Sequence, residues 1–427
     1  MTAPELSLSP SLLKRVFQNR RLAFLWSGQL ISQAGDSVFD IALLWLLLEM
    51  TGSSSLTGLI AMSAYLPSLL FGMFAGTLAD RCDRRTLLLV SDGARALIVL
   101  SIPLLYVSGG LTPALLGLLT FLRSLFSTVF APARDALIPA LVPPSGLLPA
   151  NALIQTCWQF GLLLGPGLAG LLIPLLGAVH LFTVDAVSYL ISLMFLWVLP
   201  RVAVASTSRT DRGILAAGRT AMADVRLGLS RAFRDRRLSV LLAMTAVDNL
   251  FIMGPAIIGT PIFVRQVLGL GASHYALAMT AYALGMLSGT LLLNRVARRL
   301  SLSHVLLWGI VFDGLTFLPL LWVSTFPGLY LTLFVHSLVI PMIVVARPTL
   351  VQRLVEPEMQ GRIFSMIGVC VTGLSALSVA LTGMLCAVVP VNWVFGAIAL
   401  LAAASGGAGW LVKEFRQADD RPRSGAV

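Results

Sequence analysis

Phe17-Gln18-Asn19-Arg20-Arg21-Leu22 stands before the first long apolar run of this chain, and Phe233-Arg234-Asp235-Arg236-Arg237-Leu238 stands before the seventh. Outward from these, Asp36-Ser37-Val38-Phe39 in the first run is echoed by Asp248-Asn249-Leu250-Phe251 in the seventh. Asp80-Arg81-Cys82-Asp83-Arg84-Arg85 follows the second run, and Asn294-Arg295-Val296-Ala297-Arg298-Arg299 follows the eighth. Arg134 precedes Leu141-Val142-Pro143-Pro144 by seven residues, and Arg347 precedes Leu354-Val355-Glu356-Pro357 by the same seven. The offsets are 216, 212, 214 and 213, so the duplication stays in register over four landmarks. A chain doubled in this way predicts two similar helical bundles side by side in a bilayer, the arrangement expected of a transporter.

Composition supports the membrane setting. Apolar residues make up 57% of the 427 and charged ones 11%, against roughly 25% charged in soluble proteins. Twelve apolar segments have the length of about 20 residues needed to cross ~30 Å of hydrocarbon as helix. They cover 22–48, 56–79, 86–107, 112–133, 149–174, 179–199, 238–262, 273–294, 303–323, 327–346, 363–389 and 391–412. No alternating stretch suits a β-barrel. The sequence therefore predicts an all-α polytopic membrane protein, twelve transmembrane helices in two pseudo-symmetric six-helix bundles.

A net charge of +11 in a soluble chain would suggest nucleic acid, but the placement of the charges argues otherwise. Of 30 Lys and Arg, 27 fall on one side of the predicted helices, Arg95 and Arg123 lie within helices, and Arg265 lies opposite. Such asymmetry puts both termini in the cytoplasm. The basic stretches read as topology determinants and contacts with anionic lipid, and no nucleic-acid partner is expected. The first segment is too long and too polar within for a signal peptide. Cys82, Cys157, Cys370 and Cys386 show no paired spacing, and the four His are not at ligand spacing, so no disulfide, metal or other cofactor is expected.

The expected organisation is a first six-helix bundle (1–200), a cytoplasmic linker (201–237), a second bundle (238–412) and a solvated, disordered tail (413–427). Within the linker, Val225, Leu229 and Phe233 recur at i, i+4, i+8 with arginines on the other faces. That pattern predicts an amphipathic helix at the membrane surface.

The segment Gly76-Thr77-Leu78-Ala79-Asp80-Arg81-Cys82-Asp83-Arg84-Arg85 resembles the signature loop between helices two and three of the major facilitator superfamily. Asp83 stands where that pattern usually has glycine, and Asp tolerates turn conformations. The resemblance implies that Asp80 packs near the start of helix eleven, after Gly361-Arg362, as a latch for the outward-facing state; a plain positive-inside loop is the alternative. Gly161-Leu162-Leu163-Leu164-Gly165-Pro166-Gly167-Leu168-Ala169-Gly170 resembles the helix-five motif of drug–proton exchangers, with Ala169-Gly170 in place of paired glycines. The implied role is a hinge and seal built on close backbone approach. Pro132 to Pro143, Ala150-Asn151-Ala152 and Asp185-Ala186-Val187-Ser188-Tyr189 resemble the third drug:proton antiporter branch, which holds macrolide efflux proteins and enterobactin-type exporters. The likeness runs over residues 12–412 and names a branch, not a cargo.

Gln29, Gln33, Asp36 and Asp40 follow at spacings of 4, 3 and 4, one stripe of the first helix. Lipid does not tolerate such a stripe, since a central carboxylate costs about 2.5–3.5 kcal/mol even on the mild insertion scale. It is expected to face a wet cavity or a protein partner. At 1.5 Å per residue Asp36 lies ~21 Å and Asp40 ~27 Å from the cytoplasmic end, and Arg123 about 16 Å from the outer end of helix four. Arg123 needs a counter-ion, with Asp36 the first candidate and Asp40 the second. Burial and a neighbouring arginine act on a carboxyl in opposite senses, so separating such a pair changes its protonation. The alternative is a permanent structural ion pair. Asp248 and Asn249 offer either the second half of a cargo or proton site or an outer-gate hydrogen bond. Asp92 and Arg95 are expected to neutralise one another; Asp185 and Asp313 read as structural, and so does the lone midplane His336, with a proton carrier as its alternative. Tyr65, Trp158, Tyr189 and Phe251 are candidates to stack on a bulky cargo or plain packing.

No Gly-rich phosphate loop occurs, and Lys14 and Lys413 are the only lysines, so ATP-driven transport is not expected. No convergent His, Cys or paired acids suggest an enzyme. The expectation is a monomeric exporter in a bacterial cytoplasmic (inner) membrane, exchanging a moderately hydrophobic small molecule for protons. A proton-independent facilitator or a lipid or siderophore transporter of the same fold is the alternative, and a non-transporting receptor or scaffold a remote one.

Overall fold

The computed structural model describes residues 19–143, 146–200, 234–296 and 300–417, and every regular element among them is helical. Among the described residues, eleven helical segments are long and apolar enough to cross a membrane, and the shorter apolar helix Leu181–Trp197 stands between the fifth and the sixth of them. These twelve follow the order of the predicted runs. In chain order the α-helices are α1 (Arg20–Thr51), α2 (Ser54–Ala61), α3 (Leu66–Arg81), α4 (Arg84–Val107), α5 (Pro113–Leu141), α6 (Leu147–Leu176), α7 (Leu181–Trp197) and α8 (Arg236–Phe251). There follow α9 (Thr260–Gln266), α10 (Ala272–Val296), α11 (Leu302–Leu315), α12 (Phe326–Ser337), α13 (Ile340–Leu354), α14 (Pro357–Leu385), α15 (Val391–Leu411) and α16 (Lys413–Arg416). The amphipathic segment expected at 224–234 lies, up to residue 233, outside the described residues.

The described residues within Met1–Leu46 and Leu70–Ala217 form one compact unit, and those within Leu47–Leu69 and Gly218–Val427 form another. This differs from the expected boundaries, because residues 47–69 group with the second half of the chain. The reason is a glycine contact in that unit. A Cβ on Gly58 of α2 would come within 2.7 Å of the Val379 carbonyl, and one on Gly383 of α14 within 2.6 Å of the Ser54 carbonyl. Only hydrogen side chains permit the two backbones to lie so close, the usual basis of helix association in lipid.

The first unit reverses the amphipathicity of a soluble bundle. On α4 the buried face carries Leu88, Ser91, Asp92, Arg95, Ala96, Val99, Ile102 and Pro103 at helical spacing, while Leu97, Leu104 and Val107 are exposed. Polar groups point into protein and leucines point outward, as hydrocarbon requires. The apolar core at one end gathers Leu22 and Leu25 of α1, Leu88 of α4, Phe130 and Leu137 of α5, and Leu153 of α6. Glycines then set the spacing around α1. A Cβ on Gly161 of α6 would meet the Gln33 backbone at 2.8 Å, and one on Gly165 would meet Ser37 and, at 2.9 Å, the Ala34 carbonyl. On another side of α1, a Cβ at Gly35 would strike Ser188 and Asp185 of α7.

The repeated landmarks now have physical causes. Asn19 Oδ1 accepts from the Leu22 amide at 3.2 Å, and Asp235 Oδ1 accepts from the Arg237 amide at 2.9 Å, so both mark helix N-termini. Asp235 lies just outside its membrane span; burial works against its ionisation, but the side-chain and backbone hydrogen bonds from Arg237 hold its carboxyl below the usual carboxylate range. In the second unit the seventh span is not uniform: α8 passes through a π-turn at Pro255–Gly259 before α9. Pro255 lacks an amide hydrogen, and the preceding Gly254 amide is satisfied instead by Ser378 Oγ at 2.7 Å.

Three expectations are corrected. Arg134 and Arg347, counted as loop charges, lie inside α5 and α13, because those helices continue through Pro132, Pro139 and Pro348 to Leu141 and Leu354. The signature segment is mostly helix: Gly76 to Arg81 complete α3 and α4 starts at Arg84. The tail is not wholly solvated, since Lys413–Arg416 form a helical turn and Phe415 is fully buried against the second unit's core with Leu238, Val305 and Leu306.

Candidate functional site

The site in the first unit is built around Arg123. It sits on the buried face of α5 with Leu116, Gly117 and Thr120, and its guanidinium lies 3.8 Å from the centroid of the Phe39 ring. Arg123 Nη2 donates to Asp36 Oδ1, and Nε donates at 3.1 Å to the Tyr189 hydroxyl, which itself donates to Asp36 Oδ1. Gln33 Nε2 donates to the other carboxylate oxygen of Asp36 at 3.2 Å. Arg123 is further flanked by Asp40 at 3.9 Å and Asp185 at 3.8 Å. One guanidinium thus faces three carboxyl groups.

These acids differ in setting. The Asp40 side chain is 66% exposed, Asp36 19% and Asp185 0%. Asp185 Oδ2 has no hydrogen-bond partner among the described residues. An unpaired ion so deep costs several kcal/mol after relaxation, so Arg123 is shared between Asp36, on the accessible side, and Asp185, on the closed side. Asp92 and Arg95 form the expected pair, both buried, with the Arg95 guanidinium between the rings of Phe130 (4.6 Å) and Tyr189 (4.3 Å). Tyr189 therefore touches both arginines. It is fully buried, and rather than stacking on cargo or packing alone it is the hub of a polar network.

The helix-one stripe divides in two. Gln33, Asp36 and Asp40 gather at Arg123, whereas Gln29, 1% exposed, accepts from Arg134 Nη1 at 3.2 Å through Oε1. Sequence reasoning named Asp185 and Tyr189 for other roles and missed their joint contact with Arg123. Their i, i+4 spacing puts them on one face of α7, and that was the available signal.

The second unit holds its own arrangement. Asp248 Oδ2 accepts from Arg347 Nη2 at 2.8 Å, and both side chains are largely buried. Asn249 turns elsewhere: its amide donates to the Thr245 carbonyl at 2.8 Å and its Oδ1 accepts from Ser375 of α14 at 3.4 Å. Arg347 was also missed, although it stands 213 residues after Arg134 just as Asp248 stands 212 after Asp36.

The signature residues act within the first unit. Arg84 Nη1 donates at 2.8 Å to the Ala136 carbonyl near the end of α5. Arg85 donates to the Leu196 and Trp197 carbonyls that end α7, and stacks on the Trp197 ring at 5.7 Å. Cations at helix C-termini satisfy orphan carbonyls and the dipole together. Asp83, in the usual glycine position, has φ −58° and accepts from the Thr86 amide at 2.8 Å, so it caps α4 and no left-handed turn is required. A Cβ on Gly76 would meet nothing within 4 Å. The Asp80 and Arg362 side chains of the expected latch, and the burial of Gly361, lie outside the described residues. At the helix-five motif, Gly161 and Gly165 provide the backbone contact with α1 beside Gln33, and α6 runs unbroken through the buried Pro166 and Gly170.

Comparison with known proteins places this geometry in context. The profile of a family described as transmembrane secretion effector matches residues 13–425. An uncharacterized MFS-type transporter, YfiS, of Bacillus subtilis (strain 168) is 28% identical over 392 residues, 90% of this chain and 91% of that protein. Macrolide efflux protein A of Streptococcus pyogenes is 24% identical over 361 residues, 82% of this chain and 86% of that one. Among solved structures, a bacterial homologue of the iron transporter ferroportin in an inward-facing state superposes with a TM-score of 0.71 at 18% identity, covering 94% of this chain and 99% of that one.

Proposed function

The chain belongs to the transmembrane secretion effector family of the major facilitator superfamily, and from that premise we propose that it exports a small, moderately hydrophobic molecule in exchange for protons. It is a multi-pass membrane transporter of major facilitator fold, not an enzyme. In our reading Asp36 is the exchanging carboxyl and Arg123 its counter-ion. One observation carries this: a single buried arginine faces more carboxyl groups than it can neutralise.

The surplus has a use. When Asp36 takes a proton, Arg123 is not stranded, because the Asp185 carboxylate lies 3.8 Å from its Nε. The Asp36–Arg123 contact then opens without leaving an isolated charge in the protein interior, which would cost several kcal/mol. A membrane potential contributes ~2.3 kcal/mol per charge per 100 mV, and proton entry at Asp36 draws on it. The similarity to a macrolide efflux protein supports export and a bulky, partly apolar cargo. The one-sided distribution of Lys and Arg supports a cytoplasmic (inner) membrane setting with both termini inside. The protein works as a monomer in contact with lipid, with cargo and protons its partners.

The test is gradient-driven flux in proteoliposomes, combined with a drug and metabolite susceptibility panel in an efflux-deficient host. Asp36→Asn and Arg123→Ala are expected to abolish resistance while still inserting into the membrane. Asp36→Asn protein that transports normally and still responds to pH would show the carboxyl to be wrongly assigned. Wild-type flux indifferent to the proton gradient would replace exchange by facilitated export.

A further inference from the structure

The second unit contains a buried cluster that the export reading does not use. His336 of α12 is fully buried, with Phe317 stacked on its ring at 3.8 Å. Its Nδ1 lies 3.0 Å from Thr316 Oγ1, and that hydroxyl already donates to the Phe312 carbonyl at 2.7 Å. With the hydroxyl proton directed to the Phe312 carbonyl, Nδ1 is the donor of this contact. The other ring nitrogen, Nε2, is then left with a lone pair in the neutral ring. It points toward Asp313 Oδ1 at 3.7 Å, the Asp313 side chain being 4% exposed, and has no hydrogen-bond partner among the described residues. An imidazole lone pair and a carboxylate would thus confront one another, two acceptors and no hydrogen between them.

Charge counting gives the same result. Asp313 also lies within electrostatic reach of Asp248 and Arg347. The Asp248–Arg347 pair is neutral as it stands, so an ionised Asp313 leaves the cluster with one uncompensated negative charge. Among the described residues, the elements packed against His336 bring no other cation to it. From α10 comes Tyr282, its ring centroid 6.2 Å from that of His336; α11 supplies Asp313, and α13 contributes Arg347, already engaged. The turn Leu318–Leu321 and α15 carry no titratable side chain, and α8 contributes Asp248.

We propose that Asp313 and His336 together form a second proton-binding site, holding one exchangeable proton between Asp313 Oδ1 and His336 Nε2. A small rotation of the carboxyl closes the gap to hydrogen-bond length. The proton rests on the carboxyl beside a neutral ring, and its passage to the ring beside a carboxylate would keep the cluster at zero net charge. Its loss to water leaves Asp313 ionised, His336 neutral, and Arg347 shared between Asp248 and Asp313. The duplication gives this site a history in the chain: His336 stands 213 residues after Arg123, as Arg347 does after Arg134. The permanent cation Arg123 of the first unit is replaced here by a titratable ring, while Arg347 keeps the charge of its counterpart Arg134.

The site is independent of Asp36 and Arg123, and its test requires neither cargo nor flux. Infrared titration of the purified full-length protein should show a protonated-carboxyl band at neutral pH that Asp313→Asn removes and Asp36→Asn leaves. His336→Gln should shift the midpoint of that band by about one pH unit, a tenfold change in proton affinity. Nitrogen NMR of histidine-labelled wild-type protein provides a reading without substitution: His336 should hold its hydrogen on Nδ1, with an Nε2 shift that follows the Asp313 band. A band that survives Asp313→Asn in folded protein, or a His336 signal that ignores the band's titration, overturns the proposal. Failure of gradient-driven export with this band intact would reject the export reading and leave the second site standing.

Discussion

The sharing of Arg123 among three carboxyl groups predicts a marked inequality between the two ends of the Asp36–Arg123 pair. Arg123→Ala strips the cation from Asp185, which is 0% exposed, and removing one partner of a buried pair costs about 3–5 kcal/mol. It also removes the cation over the Phe39 ring. Asp36→Asn is milder, because Arg123 retains Asp185 at 3.8 Å and Asp40 at 3.9 Å. What disappears is one charge-assisted contact, worth about 1.5–3 kcal/mol, partly offset by relief of repulsion among the acids. Arg123→Ala should therefore unfold more readily by roughly 2 kcal/mol. Adding Asp185→Asn to Arg123→Ala should recover part of the loss, since neighbouring sites couple. Unfolding free energies in mixed micelles, measured on the two single variants and the double variant, provide the comparison. Equal stabilities for the singles, or further destabilisation in the double variant, would refute the idea that one guanidinium compensates the buried acid.

Other outcomes follow from individual contacts. Gly165→Leu should force α6 from α1, where Ser37 and the Ala34 carbonyl block any side chain; a loss of about 1–3 kcal/mol or more is expected, read as a lower thermal midpoint in detergent. Phe415→Ala removes a fully buried ring from the second unit's core and should cost about 3–5 kcal/mol in the same assay. Asp235→Ala uncaps α8 and should cost about 1 kcal/mol at neutral pH. Because the folded protein holds the Asp235 carboxyl below its ordinary value, this contribution is present above about pH 4 and disappears as pH falls through the depressed folded value. The difference between wild type and variant should vanish in acid, and a difference that persists there would exclude the cap.

The membrane class, the twelve segments and the doubled organisation were legible because hydrocarbon imposes a length and a composition on every crossing. Asp36 and Arg123 were legible for the same reason: a charge within such a segment needs a partner, and few candidates exist. Asp185 and Tyr189 were not, since a lone buried acid and an aromatic residue have many structural uses and their joint approach to Arg123 depends on how α7 packs against α1 at Gly35. Arg134 and Arg347 were misplaced because the predicted spans stopped with the apolar run just before each charge, whereas the helices continue through Pro139 and Pro348. The grouping of residues 47–69 with the second unit left no local signal either. It depends on Gly58 meeting Gly383, and neither glycine is distinctive alone.

That glycine contact has a consequence for biogenesis. Gly383 is made 325 residues after Gly58, and at ~5–20 residues per second the ribosome needs roughly 16–65 s to deliver it. Throughout that interval the Ser54–Ala61 helix resides in the bilayer without its final neighbour, a natural occasion for an insertion chaperone or annular lipid to hold it. A gene cut between codons 200 and 238 would yield two polypeptides of which the later one lacks a helix it must borrow from the earlier.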